Sequence, residues 1–171
     1  MIRNTTWAVV LVSSALVGSP SFAQSPGAVE KQFVGMWRLV SWPQRLADGT
    51  TRQDPRSVAY IIYTDTGHMC SVGMAPDRAR WRSETAPTES EALLAMGGAG
   101  LYAYCAKVEV HAAEGFVLHH VEIDKSPNAV GRTRKRWFTF QGPNRVALRI
   151  DTPELTPPLV ESTLIWERVE K

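Results

Sequence analysis

Gly35-Met36-Trp37-Arg38-Leu39-Val40-Ser41-Trp42 is the stretch whose reading decides the fold. At period two, Trp37, Leu39 and Ser41 point to one side of a strand, and Met36, Arg38, Val40 and Trp42 point to the other. A strand opening on Gly-x-Trp and followed by seven further strand-like runs predicts a sheet that closes on itself. The interior of such a sheet is a candidate ligand cavity.

Ahead of this strand, Arg3 supplies a short basic segment and Trp7 to Val17 an apolar one, and Ser21-Phe22-Ala23 places small residues at −3 and −1. The pattern predicts a signal peptide over 1–23, cleaved after Ala23, and a single domain over 24–171 that is periplasmic or secreted. The apolar run is shorter than the ~20 residues a membrane span needs, and no other segment could cross a bilayer as a helix. No Cys lies near the cleavage site, which argues against a lipid anchor.

The chain carries 19 Lys and Arg against 17 Asp and Glu, a net charge of +2 that falls to +1 when Arg3 leaves with the leader. Nucleic acid calls for a concentrated basic face. The densest basic run, Arg132, Arg134, Lys135 and Arg136, is divided by strand alternation between two faces, so no nucleic-acid partner is expected. Cys70 and Cys105 are the two cysteines. Export permits a disulfide between them, and a pair of small buried thiols is the other reading.

From Gln24 to Lys31 the sequence is polar and predicts a loose leader or a single helical turn. Pro43 to Pro55 reads as a long connection carrying an Asp48-Gly49 turn. Val58–Tyr63 and His68–Val72 form a hairpin about Asp65-Thr66-Gly67. Ala75 to Pro87 is irregular, with Trp81 among arginines as a loop anchor or a mouth residue. Thr88 and Glu91 fit a capping box for a short helix, with Ala92, Leu93 and Met96 as its apolar stripe and Gly97-Gly98 as its stop. Strand runs resume at Leu101–His111, Phe116–Ile123, Arg132–Phe140, Val146–Ile150 and Leu159–Val169. Short turns between eight such strands, with one short helix aside, predict an all-β fold: an eight-stranded antiparallel up-and-down β-barrel.

Five blocks carry a resemblance: Phe33 to Trp42, Tyr60-Ile61-Ile62-Tyr63 through Gly67-His68-Met69, Tyr102-Ala103-Tyr104-Cys105, Val121 to Gly131, and Leu164-Ile165-Trp166-Glu167-Arg168. In their order and spacing the chain resembles the bacterial and fungal lipocalin-like domain family, within the calycin group of small-molecule-binding barrels. The resemblance implies a closed barrel with a binding role. It also implies that Trp37 sits at the closed end beneath Arg168, both structural, which puts the ligand mouth at the opposite end. An indole face under a guanidinium stabilises by about 0.5–2 kcal/mol. The chain departs from the lipocalin pattern in having no evident C-terminal helix on the barrel wall.

The polar cluster most suited to chemistry is Leu118-His119-His120-Val121-Glu122. His120 and Glu122 share one strand face with Phe116 and Leu118, and His119 shares the other with Val117, Val121 and Ile123. One face or the other lines the cavity, and the apolar company of His119 favours its face. A metal site would need His120, Glu122 and a third ligand such as His68; two polar residues at i and i+2 are too common in strands to predict one, and no metal or cofactor is expected. Arg136 aligns with Phe138 and Phe140, so it is either a cationic anchor for an acidic ligand or an arginine at the mouth with its head in water. If inward it requires a carboxylate, for which Glu109 and Glu122 are the candidates. Tyrosines suit a pocket wall, and the expected ligand-binding set is Tyr60, Tyr63, Tyr104, His119, Arg136 and Phe138, with Tyr102 as a further tyrosine of the same kind.

No Gly-x-Ser-x-Gly, His-Glu-x-x-His, phosphate-binding glycine loop or Cys-x-x-Cys is present. The expected function is binding of a small apolar or amphipathic molecule. The alternative is an isomerase or cyclase that uses His119, His120 or Glu122 for proton transfer, and a third reading is a filled barrel acting through its surface.

Overall fold

A computed structural model of the chain describes residues 26–56, 58–78, 80–82, 88–96 and 100–170. The leader over 1–23 and the Gly97-Gly98 helix stop lie outside the described residues. In chain order the elements are α1 (Pro26–Phe33), β1 (Gly35–Ser41), β2 (Pro43–Leu46), β3 (Thr51–Gln53), β4 (Val58–Tyr63), β5 (His68–Met74), α2 (Glu89–Met96), β6 (Leu101–His111), β7 (Phe116–Asp124), β8 (Thr133–Phe140), β9 (Arg145–Ile150) and β10 (Leu159–Arg168).

Strands β1, β4, β5, β6, β7, β8, β9 and β10 pair in that order, each antiparallel to the next, and β10 returns to β1 to close the barrel. Closure comes from Trp37 opposite Arg168 and Leu39 opposite Trp166. Alternation packs the interior: Trp37 and Leu39 from β1, Ala59, Ile61 and Tyr63 from β4, Val117, His119 and Val121 from β7, and Val146 and Leu148 from β9 are all buried. No helix among the described residues is long and apolar enough to cross a membrane.

The structure corrects the sequence expectation in three places. The stretch Pro43 to Pro55 is a hairpin, β2–β3, in place of a plain connection. β2 runs on from β1 along the same partner, Gln44 facing Ser162 and Arg45 facing Glu161, so the two are one strand interrupted at Trp42, just before Pro43. A proline without an N–H and a polar sequence hid it. The second correction is the bulge between Leu39 and Ser41. One extra residue reverses the phase of a strand, so Trp42 turns inward and is buried, where uninterrupted alternation put it outside with Val40.

The third correction is at the N-terminus, where a helix, α1, stands in place of the expected loose leader or single helical turn. α1 is two turns long and anchors through Val29 and Phe33, both buried. The Phe33 ring packs on Tyr63, Phe138 and Phe140 at centroid distances of 5.0, 5.1 and 4.9 Å, which fills one end of the barrel. The last carbonyls of α1 have no intrahelical donors, and the barrel supplies them. Arg168 donates to Gln32 O and Val34 O, both at 2.7 Å, and Trp37 Nε1 donates to Phe33 O at 2.7 Å. The Arg168 guanidinium lies 4.1 Å over the Trp37 ring. At α2, Thr88 and Glu91 exchange backbone bonds, Thr88 N to Glu91 Oε2 at 2.8 Å and Glu91 N to Thr88 Oγ1 at 3.3 Å. Leu93 on that helix is 65% exposed, so the expected apolar stripe does not dock through it.

Candidate functional site

Away from α1, the same interior is hollow. A cavity of about 320 Å³ opens inside the barrel, lined from β4, β5, β6, β7, β8, β9, β10 and the β1–β2 junction, within the size range of small-molecule sites. Ile61, Leu148, Leu164, Trp42 and Trp166 give it an apolar wall, and Arg56, Arg134, Arg136, Tyr102, Tyr104 and His119 a polar one. The large residues do not meet at the centre: Trp37 and Phe138 fill the closed half, Trp166 borders the cavity, and Tyr60 lies outside. A larger hollow of about 490 Å³ lies outside the barrel between α1, β4 and β6. Its charged lining residues are three carboxylates, Glu30, Asp65 and Glu109, and one lysine, Lys31, and no buried polar atom without a partner is among its lining residues. The barrel cavity is the better site.

At its floor sits His119, fully buried on β7. Tyr63 Oη is 3.0 Å from His119 Nε2 and Tyr104 Oη is 3.0 Å from His119 Nδ1. Burial, and after it the positive charges of Arg136 and Arg134, hold the imidazole well below its ordinary range, so it is neutral. A neutral imidazole has one N–H and one acceptor nitrogen. It therefore accepts from one tyrosine and donates to the other. Burial likewise raises the phenols of Tyr63 and Tyr104 above their usual value.

Each arginine of the polar wall is held by a carboxylate. Arg136 donates through Nη1 to Glu154 Oε2 and to Lys135 O, both at 2.7 Å. Arg134 donates to Asp124 Oδ2 at 2.6 Å while its guanidinium lies 4.2 Å over the Tyr104 ring. Arg56 makes a fork with Asp54 at 2.9 and 2.8 Å and stacks 4.8 Å over Trp42. Asp54 is buried, and desolvation works against its charge; the bonds from Arg56 and Gln44 outweigh it and hold the carboxyl below its usual range. Asp124 reaches the cavity through a second bulge. The register slips between Cys105 and Ala106, which exposes Ile123 and turns the next residue inward.

The residues expected from sequence separate clearly. His119, Tyr104 and Arg136 line the cavity. Tyr63 is buried beneath it as the second partner of His119, on the side of α1. Four residues are corrected. Tyr60 is 37% exposed on the outer face, because β4 alternation assigns the interior to Ala59, Ile61 and Tyr63. Phe138 belongs to the packing beneath α1 and not to the cavity. His120 and Glu122 point outward, where His120 bonds Glu109 at 3.1 Å and Thr133 at 3.0 Å and Glu122 stands 4.0 Å from His68. They share no site with His119, so of the three acid/base candidates only His119 lines the cavity. The expected carboxylate partners of Arg136 are also wrong: Glu109 is outside with His111 and His120, and Glu154 on the loop before β10 is the partner.

Among the described residues, no three His, Cys, Asp or Glu converge as metal ligands. Cys70 and Cys105 are directly opposed on β5 and β6 and form a disulfide on the outer face of the barrel. Trp81 is 43% exposed and is not among the cavity-lining residues. Sequence reasoning missed Trp42, Arg56, Arg134 and Trp166 as lining residues. Tyr102, set beside the other tyrosines from sequence, does line the cavity, and Gly73 opposite it makes room: a Cβ there would lie 2.2 Å from the Tyr102 ring, so only glycine lets the ring lie across the neighbouring strand.

A family model described as a lipocalin-like domain matches residues 34–169. No curated protein matches the chain. Among solved structures, a redesigned β-barrel is similar at 10% identity, covering 82% of this chain and 95% of its own, with a TM-score of 0.42. A protein from Burkholderia xenovorans solved by NMR is similar at 15% identity, covering 93% of this chain and 100% of its own, with a TM-score of 0.40. Neither likeness bears on function.

Proposed function

The chain belongs to the lipocalin-like domain family, and from that premise we propose that it is an exported barrel that binds a small apolar or amphipathic molecule. The observation that carries this reading is the half-filled interior. α1 and the rings around Phe33 plug one end, and a cavity of about 320 Å³ with an apolar wall remains at the other. Burying a ligand's apolar surface there contributes roughly 25 cal/mol per Å² before the cost of association.

Export is supported by the leader pattern over 1–23 and by the exposed Cys70–Cys105 pair, which persists in an oxidising compartment. Native mass spectrometry of protein purified from its own host tests the binding reading. A mass increment that disappears on denaturation is expected. A bare protein that also takes up no apolar or amphipathic probe sinks it.

A further inference from the structure

We propose that the cavity takes an organic acid, a carboxylate on an apolar body, bound with its anionic head among Arg56, Arg134 and Arg136. The inference rests on the binding reading above and names the ligand class.

The cavity is rich in donors and poor in acceptors. Arg56, Arg134, Arg136 and Lys125 line it, against Asp124 as its single lining carboxylate. The arginines are already oriented by Asp54, Asp124 and Glu154, so little side-chain freedom is lost when a ligand arrives. Their carboxylates do not use up the forks. Among the described residues, both bonds of Arg136 run through Nη1, which leaves donors at Nε and Nη2, and Arg134 gives Asp124 only Nη2.

One buried donor of the cavity lining lacks a partner. Trp166 is 1% exposed and its Nε1–H meets no acceptor among the described residues. An indole N–H can only donate, and leaving it unmet in a buried site is costly. In the tautomer that donates from His119 Nδ1 to Tyr104, the Tyr63–His119–Tyr104 chain adds another. Two hydroxyl protons and one ring proton serve two hydrogen bonds, so one phenolic O–H is left over. A neutral apolar ligand meets none of these donors, and an ammonium group, a donor itself, offers them no acceptor. A carboxylate accepts from several at once, and guanidinium matches it in geometry. The wall of Ile61, Leu148 and Leu164 fits the apolar remainder of the same molecule.

Octanoate and octanol share a chain and differ in the head, so the test compares them at pH 7 on the mature chain, by calorimetry and by tryptophan fluorescence. Octanoate is expected to bind at least tenfold more tightly. In Arg136→Met combined with Glu154→Gln, which removes the pair together, the octanoate affinity should fall tenfold or more and that of octanol stay within twofold. Trp166→Phe, which keeps the ring and removes the donor, should weaken octanoate severalfold and keeps the proposal testable if the double variant does not fold. Octanol binding as tightly as octanoate overturns the acid assignment and leaves the cavity reading standing. An octanoate preference unchanged in both variants overturns it as well. Binding of neither compound overturns both.

Discussion

Gly35 carries two constraints at once. Its φ is +129°, a conformation other residues adopt at a cost, and a Cβ would lie 2.6 Å from Arg168 Nη1. Gly35→Ala therefore strains the backbone and displaces the guanidinium that holds Gln32 O and Val34 O. A loss of about 1–3 kcal/mol is expected in urea denaturation. His119 gives a residue-scale pH signature. Its imidazole is held well below the ordinary value when folded, so the unfolded chain binds a proton that the folded chain refuses. Stability is complete above the unfolded value of ~6.5 and falls as pH drops below it, by up to about 1.4 kcal/mol per pH unit. Urea midpoints between pH 7 and 5 measure this slope, and His119→Gln should flatten it. Asp54, held low by its bonds, acts separately below about pH 4, where its protonation removes stability. The inward direction of His119 was legible from its company on β7. Its partners were not, because Tyr63 and Tyr104 lie 56 and 15 residues away, Tyr104 on the neighbouring strand β6 and Tyr63 on the more distant β4, and meet it only once the sheet has curled.

Among the elements, the sequence shows strands well and bulges badly. Alternation predicts β1, β4 and β5 because nothing interrupts their period over most of their length. It fails at Trp42 and beyond Val121, where a bulge in each case reverses the phase. Both failures fall at the cavity, since an extra residue re-aims a side chain at the rim where function needs it. α1 was missed for a different reason. Only Val29 and Phe33, four apart, anchor it, and a helix of 8 residues owes its stability to the barrel it plugs. The β5–β6 pair offers an element-scale prediction. The Cys70–Cys105 crosslink, with a sequence separation of 35, restricts the unfolded chain, so reduction or Cys70→Ser with Cys105→Ser should cost about 3–4 kcal/mol in chemical denaturation. Unchanged unfolding midpoints with and without reductant would count against the bond.

At the scale of the molecule, closure was readable from the Gly-x-Trp strand and the run of strands after it. How the interior divides into a filled and a hollow half was not. That division depends on which rings reach the axis, and Phe33, coming from outside the barrel strands, decides it. The first barrel strand also needs the last. β1 closes on β10 with Trp37 against Arg168, a separation spanning nearly the whole domain, and β2 has no barrel partner but β10. Strands β4 to β9 can pair as a meander, but the edges of that sheet stay open until β10 is available. Long-range pairing of this kind makes folding slow relative to a protein of local contacts. A ribosome-bound chain lacking β10 thus has no closed state to reach, and it passes through synthesis, and any translocation that follows promptly, without a finished barrel to undo.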